Sequence, residues 1–472
     1  MIVVPDNFVS IHLFSLKKSP IRLADLKVNI FLIMSERSDT LSTRGNALIA
    51  TPTLREIYRP VLNDMYDEDK NPDGFINIAA AENYIMADEV ATYINDHVKL
   101  TGPDVTYNTG PWGSKRLRTA LARHMTKYFK ALHPLDPEDL LIMNGVTPLC
   151  EMLGFTIADP GDAVLFSRPF YSAFESDFLI KAGVKSTFVS FDGVDQFSAA
   201  AVPKYEAAIQ RAQAEGQRIR ALMFVNPMNP LGKCCEKDTI IGLMELCQKY
   251  NIHFLSDEVY ALSIYDVGKS SDQGNASIVG PTPYISVLSF DTTPYISPNL
   301  IHVIYGLSKD FASGGLRLGA IYTHNKPLNR ALSAVSIFHW CPPVIDIAAA
   351  IMLEDEAWIE SYVARAREML TKHSALARQL LDDYGLKYLS GSNAGFFLVV
   401  DARPYLRQGI DGWQAEKELE GRLFQKKVLA NSGSSMKAEE PGWFRIVFTL
   451  KERPLREGLK RFADAIKGDK YA

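Results

Sequence analysis

The chain has 472 residues, 47% of them apolar and 22% charged, and 51 basic against 55 acidic residues leave a net charge of −4. This balance excludes a disordered, collagenous or disulfide-scaffold chain. It gives no electrostatic footprint for nucleic acid or an anionic membrane surface. The length points to two or three structural units.

Residues 1–33 are apolar in patches, but Lys17, Lys18, Arg22, Asp25 and Lys27 interrupt them. No run approaches the roughly 20 apolar residues of a membrane helix. The basic residues follow the apolar stretch, whereas a secretory signal puts them first. The segment reads as an extension outside the fold, with a transit peptide as the alternative. After Met34 a polar stretch leads toward a first helix.

From about residue 140 to 325, short apolar runs alternate with helical patterns. Strands are expected at 140–144, 163–167, 186–191, 220–225, 252–257, 301–306 and 318–323, with helices over 148–158, 172–182, 203–215 and 236–250. Strands of this kind, spaced by amphipathic helices, argue for a mostly parallel sheet covered on both faces, an α/β architecture. The stretch 266–299 breaks the rhythm and reads as a long surface excursion. The pattern turns helical from 327 to about 383. Strands at 395–401 and 444–449 enclose a helix at 413–426, and a helix over 452–467 ends the chain.

In open α/β sheets, active groups gather after the carboxyl ends of strands. Asn144-Gly145-Val146-Thr147 follows the first strand and opens a helix, so its N–H groups and the Thr147 hydroxyl suit a phosphate. Asn226-Pro227-Met228-Asn229-Pro230-Leu231-Gly232 forms a rigid turn with an Asn before each Pro. Asp257 ends a buried strand, where an acid needs a cationic partner, and Tyr260 follows three residues later. Gly306-Leu307-Ser308-Lys309 leads through Gly314-Gly315 to Arg317. A lysine beside apolar strands suits Schiff-base chemistry, and an arginine suits a phosphate. Taken singly, each is explained as well by packing, a plain turn or a solvated surface. Together, in this order and each after a strand, they make the set that holds pyridoxal 5′-phosphate (PLP). The nine histidines show no metal-ligand spacing, so no metal is expected. Cys150, Cys234, Cys235, Cys247 and Cys341 form no C-x-x-C pair and read as free thiols of a reducing compartment such as the cytoplasm.

Over about residues 40–468 the sequence resembles the fold-type-I class I/II aminotransferases. More narrowly, it resembles the 1-aminocyclopropane-1-carboxylate (ACC) synthase-like branch in its fungal form. The motifs that carry the likeness are Asn71-Pro72-Asp73-Gly74, Ala81-Glu82-Asn83, Gly113-Ser114-Lys115-Arg116-Leu117-Arg118, Asp159-Pro160-Gly161-Asp162, Arg168-Pro169-Phe170-Tyr171 and Pro441-Gly442-Trp443-Phe444-Arg445. The resemblance implies that Lys309 is the Schiff-base lysine and proton shuttle. It implies that Asp257 pairs with the pyridinium nitrogen, that Tyr260 and Asn229 contact the ring oxygen, and that Tyr171 stacks on the ring. Val146, Thr147, Ser308 and Arg317 would hold the phosphate, Arg445 the substrate α-carboxylate, and Glu82 the amino or leaving-group end. It also implies a homodimer with the site at the interface, Tyr107 being the candidate that reaches into the partner subunit.

Several positions depart from the family pattern. Gly306 stands where many relatives place a phosphate-binding serine, and Phe170 and Ser172 interrupt a Pro-Tyr-Tyr-Pro block. The implied organisation is a large domain over 101–335 and a smaller discontinuous α+β domain from 34–100 and 336–472. The expected activity is that of an aminotransferase-type enzyme on an α-amino acid, by transamination or C–S or β,γ-elimination, in a fungal secondary pathway. The alternatives are an ACC synthase using S-adenosylmethionine and a catalytically silent PLP-fold binding protein.

Overall fold

The computed structural model describes residues 38–468 apart from 50, 52, 108 and 268–281. The segment 1–33 lies outside the described residues. The chain forms two units: residues up to 77 with 405–429 and from 460 onward, and residues 78–404 with 430–459. The expectation placed the divisions at 100/101 and 335/336. They fall elsewhere because the helix Pro343–Glu354 packs on the helix Lys115–Tyr128 within one unit, together with the sheet that carries Arg445.

In the first unit, the helix Leu54–Leu62 begins at a capping box in which Thr53 and Glu56 satisfy each other's backbone N–H groups. Ile76–Asn77 pairs in parallel with Val428–Leu429. Arg461 ties down the preceding turn by donating to the carbonyls of Pro72 (2.6 Å) and Gly74 (2.7 Å).

The second unit holds a seven-stranded sheet. Its strands are β1 (Leu140–Met143), β2 (Ala163–Phe166), β3 (Lys185–Phe188), β4 (Ile219–Val225), β5 (His253–Asp257), β6 (Ile301–Gly306) and β7 (Gly319–Thr323). The spatial order is β1-β7-β6-β5-β4-β2-β3, with only β7 antiparallel to its neighbours. Side chains alternate between two apolar layers. Leu140, Ile142, Phe254, Val303 and Tyr305 enter one, and Leu141, Met143, Leu255 and Ile304 the other. Burial on both faces is why these strands read as continuous apolar runs.

A four-stranded antiparallel sheet completes this unit: β8 (Lys387–Tyr388), β9 (Phe397–Asp401), β10 (Asn431–Ser432) and β11 (Trp443–Val447), in the order β10-β11-β9-β8. The described part of the expected surface excursion is packed instead. Val287 and Ile296 are buried, and the buried Glu258 carboxylate receives the Tyr284 hydroxyl and the Val287 N–H (3.2 Å). A buried acid recruits partners from distant sequence, which a local reading of Gly, Ser and Pro content does not reveal.

Candidate active site

Four turns at the carboxyl ends of β1, β4, β5 and β6 carry the candidate residues. After β1, Gly145 takes φ +123° and opens the helix Val146–Ile157. A Cβ on Gly145 would lie 2.5 Å from Arg317 Nη2, and one on Gly319 would lie 2.5 Å from the Gly145 carbonyl carbon. These two glycines let a guanidinium, a helix start and β7 meet at one point. Arg317 adopts a left-handed backbone (φ 55°) and donates through Nη1 to the Gly314 carbonyl at 3.0 Å. Val146 is half-buried and Thr147 exposed. The Thr147 hydroxyl donates to Asp177, whose carboxyl burial pushes up to about 7. Asp177 carries no local signal in the sequence, because it sits on a different helix, Ala173–Leu179.

The two asparagines of the Asn-Pro turn do different work. Asn226 holds the turn: its Nδ2 donates to the Ile285 carbonyl (3.0 Å) and its Oδ1 accepts the Cys235 N–H (3.0 Å). Asn229 faces the site, with Oδ1 accepting from Arg445 Nη1 at 2.7 Å. Its amide N–H groups are what it has left to donate to a ligand oxygen.

Asp257 ends β5, buried, and accepts the Val259 N–H at 3.3 Å. No salt bridge reaches it among the described residues, so none of these residues pairs it with a cation. Burial therefore raises its carboxyl to about 7, against the pull of the Val259 N–H and the Lys309 charge. Tyr260 is buried edge-on against Phe396 and Phe397, at 5.3 and 5.2 Å between ring centres. Its hydroxyl has no hydrogen-bond partner among the described residues. Burial lifts its pKa well above the ordinary value.

Lys309 lies in the short helix Leu307–Asp310 after β6. It is no solvated surface lysine: Nζ donates to the Ala81 carbonyl at 2.7 Å. Burial lowers its pKa, with Arg445 and Arg317 adding to the effect and Glu82 and Asp257 opposing it. Glu82 sits over the Gly-Gly turn, where a Cβ on Gly314 would lie 2.7 Å from its Oε2. A Cβ on Gly306 would lie 2.7 Å from the Leu318 carbonyl oxygen, so β7 approaches too closely for a serine there without a shift. Ser308 is half-buried beside Lys309.

Arg445, on β11, is buried. It donates to Asn229 and to the Ala79 carbonyl and lies 5.1 Å over the Phe397 ring. Tyr171 is partly exposed and edge-on to Phe174 at 5.2 Å. It lies near enough to Tyr260 to disfavour that residue's ionisation. Mutual electrostatic influence and hydrogen bonding thus join Glu82, Tyr171, Asn229, Asp257, Tyr260, Lys309, Arg317 and Arg445 into one group. Tyr107 stands apart: it is 89% exposed and leans on Trp340 at 5.4 Å.

Among the described residues, a buried acid without a salt bridge, a buried hydroxyl without a hydrogen-bond partner and a guanidinium in a glycine-lined turn suit a flat ring that bears a basic nitrogen, a phenolic oxygen and a phosphate. Mostly parallel sheet, strand-end lysine and this donor set define the PLP-dependent enzymes of fold type I. The profile of the family "Aminotransferase class I and II" matches residues 74–462. Over 443 residues the chain is 30% identical to a Mus musculus 1-aminocyclopropane-1-carboxylate synthase-like protein 1, covering 92% of this chain and 84% of the relative. It is 31% identical over 403 residues to 1-aminocyclopropane-1-carboxylate synthase 3 of Oryza sativa subsp. japonica, covering 83% and 87%. A Mus musculus relative named as a probable inactive synthase-like protein 2 is 29% identical over 438 residues, covering 91% and 72%. Among solved structures, the Thermus thermophilus aspartate aminotransferase with maleate aligns with a TM-score of 0.70 at 21% identity, over 91% of this chain and 100% of that one. The chain belongs to the PLP-dependent class I and II aminotransferases, in their ACC synthase-like branch.

Proposed function

We propose that the protein converts an α-amino acid, by exchanging its amino group or by breaking a β or γ bond. The observation that carries this reading is the buried Arg445, which presents a guanidinium beside Asn229 within the group that contains Lys309. Arg445 binds the α-carboxylate by a charge-assisted pair. Asn229 and the Ala79 carbonyl orient the guanidinium. Lys309 is the amine that holds the cofactor; its burial favours a neutral nitrogen, able to take and return the Cα proton. Asp257 supplies the anion for the ring nitrogen, Tyr260 and Asn229 the donors for the ring oxygen, and Tyr171 the face against the ring. Val146, Thr147, Ser308 and Arg317 receive the phosphate. PLP itself, when bound, supplies a carbonyl that condenses with amines and a ring that withdraws electrons from Cα. A homodimer completes the site, with Tyr107 the residue offered to the partner subunit.

The test is a product screen by mass spectrometry. Holoenzyme is incubated with amino acid and 2-oxo acid pairs, with cysteine conjugates and with S-adenosylmethionine. A keto acid or a thiol is the expected product, and no turnover of any α-amino acid sinks the reading. The rice relative favours a second reading, cyclisation of S-adenosylmethionine, for which Glu82 provides an acid beside Lys309. Release of ACC supports that reading, and its absence from an otherwise active enzyme removes it. Placement in a fungal secondary pathway is supported by resemblance alone.

A further inference from the structure

Arg445 stands on β11, directly opposite Asn431 of β10. The loop joining these strands, residues 433–442, bears two consecutive carboxylates that point to different sheets. Glu440 accepts from Arg403 Nη1 at 2.8 Å, and Arg403 lies 4.4 Å over the Trp443 ring, so this contact stays within the four-stranded sheet. Glu439 reaches the seven-stranded sheet instead. Its Oε1 accepts the Phe191 N–H and its Oε2 the Asp192 N–H at 3.3 Å, in the turn that follows β3. Asp192 and Gly193 both have positive φ (51° and 82°), so the chain turns sharply just after the two N–H groups that the carboxylate accepts. Arg168 Nε lies 3.8 Å from the same carboxylate.

Two further contacts fasten the loop to the neighbouring segment that carries Tyr171. The Met436 carbonyl accepts the Phe170 N–H at 3.0 Å, one residue before Tyr171. Lys437 pairs with Glu175 at 3.4 Å. Each of these contacts joins the hairpin of Arg445 to the segment of Tyr171. A hairpin that needed only to fold would be served by Glu440 and Arg403.

We infer that Glu439 is a positioning residue for the carboxylate clamp: it locks the Arg445 hairpin to the turn after β3 and, through Arg168, to the start of the segment that carries Tyr171, so that Arg445 meets the α-carboxylate of an amino acid at a fixed distance from Lys309. The inference rests on the reading of Arg445 given above. Without the Glu439 bridge, the hairpin keeps only the Met436 and Lys437 ties, and the clamp is held less often in register. Because Arg445 would grip the carboxylate in both ground and transition states, the loss falls on KM more than on kcat.

The experiment compares wild type, E439A, E439Q, E440Q and R445A as holoenzymes, using the amino acid that the product screen identifies. Expected are a rise in KM of about tenfold for E439A and E439Q, the size of one lost charge-assisted hydrogen bond, with kcat changed by less. E440Q changes KM by less than either. Hydrogen exchange at the Phe191 and Asp192 amides should rise in E439A, whether or not substrate is present. R445A separates the two readings. If R445A leaves KM unchanged, the clamp assignment itself fails. If R445A raises KM while E439A and E439Q do not, the clamp stands and the positioning role is overturned. Should E439A fail to fold, the isosteric E439Q carries the comparison alone.

Discussion

Asn229 and Arg445 lie 216 positions apart and meet through one buried hydrogen bond of 2.7 Å. One sits in a turn after β4, the other on the four-stranded sheet, so the bond sets where the guanidinium faces. Asn229→Ala removes the acceptor and leaves Nη1 buried without it. The expected loss is about 1–3 kcal/mol, or roughly 10- to 100-fold in kcat/KM. Asn226→Ala, by contrast, frees the Cys235 N–H and the Ile285 carbonyl and should lower the melting temperature. Steady-state kinetics and thermal melts distinguish the two. Equal kinetic effects with equal loss of stability would remove the division of labour between these asparagines.

Gly145 has a conformation and a neighbour that together forbid a side chain. Gly145→Ala places a Cβ 2.5 Å from Arg317 Nη2 at φ +123°. Arg317 must then move from the turn where it is read as a phosphate ligand. A tenfold or greater rise in the dissociation constant for PLP is expected, on the order of the loss of one charge-assisted contact, measured by cofactor absorbance on titration of apoprotein. Gly161→Ala is the control: its φ is also positive, but no atom lies within 4 Å of its Cβ. Unchanged affinity in Gly145→Ala would show that Arg317 does not need this approach.

Lys309, Asp257 and the Asn-Pro turn were legible because each follows an apolar run that a sheet buries, and strand ends are where loops gather function. The helix over 452–467 and the strand 301–306 were legible from periodicity alone. Other relationships had no local signature. Glu258 looks like Asp257 in sequence, yet it is consumed by Tyr284 and Val287. Asp177 and Glu439 act across long sequence separations, so nothing near them marks their partners. The two asparagines are chemically identical, and only their neighbours in space separate a scaffold residue from a site residue.

Burial gives Asp257 a folded-state pKa of about 7 against an ordinary 3.8. The native apoprotein therefore holds this proton more tightly than the unfolded chain. The resulting stabilisation is fully present below about pH 3.8 and is lost as pH rises through about 7. Asp257→Asn removes that dependence, so apoprotein melting temperatures should fall less between pH 5 and 8 in the variant than in wild type (about the span of the shift). Asp177 and Asp310 shift the same way, so the slope flattens without vanishing. The same variant should bind PLP more weakly, since it offers no anion to the ring nitrogen. An unchanged slope together with unchanged cofactor affinity would remove Asp257 from its assigned role.

His124 has the opposite sign. It is buried behind the Lys309 turn, with ring centres 4.8 Å from Tyr128, 6.0 Å from Tyr305 and 5.4 Å from Phe311. Neither ring nitrogen has a hydrogen-bond partner among the described residues. Burial lowers its pKa from 6.5 to about 3, and the charge of Lys127 adds to the effect. The native state thus refuses a proton that the unfolded chain accepts. The stability contributed is complete above about pH 6.5 and drains away as pH falls toward 3. His124→Phe keeps the ring contacts and abolishes the titration. Its melting temperature should fall less steeply than that of wild type between pH 6.5 and 4, even if the larger ring costs some stability at pH 8. His253 and His302 titrate in the same direction and will leave a residual slope. Parallel acid profiles for the two proteins would mean that the imidazole is protonated equally in folded and unfolded chains. In that case the aromatic cage around it does not exclude the charge.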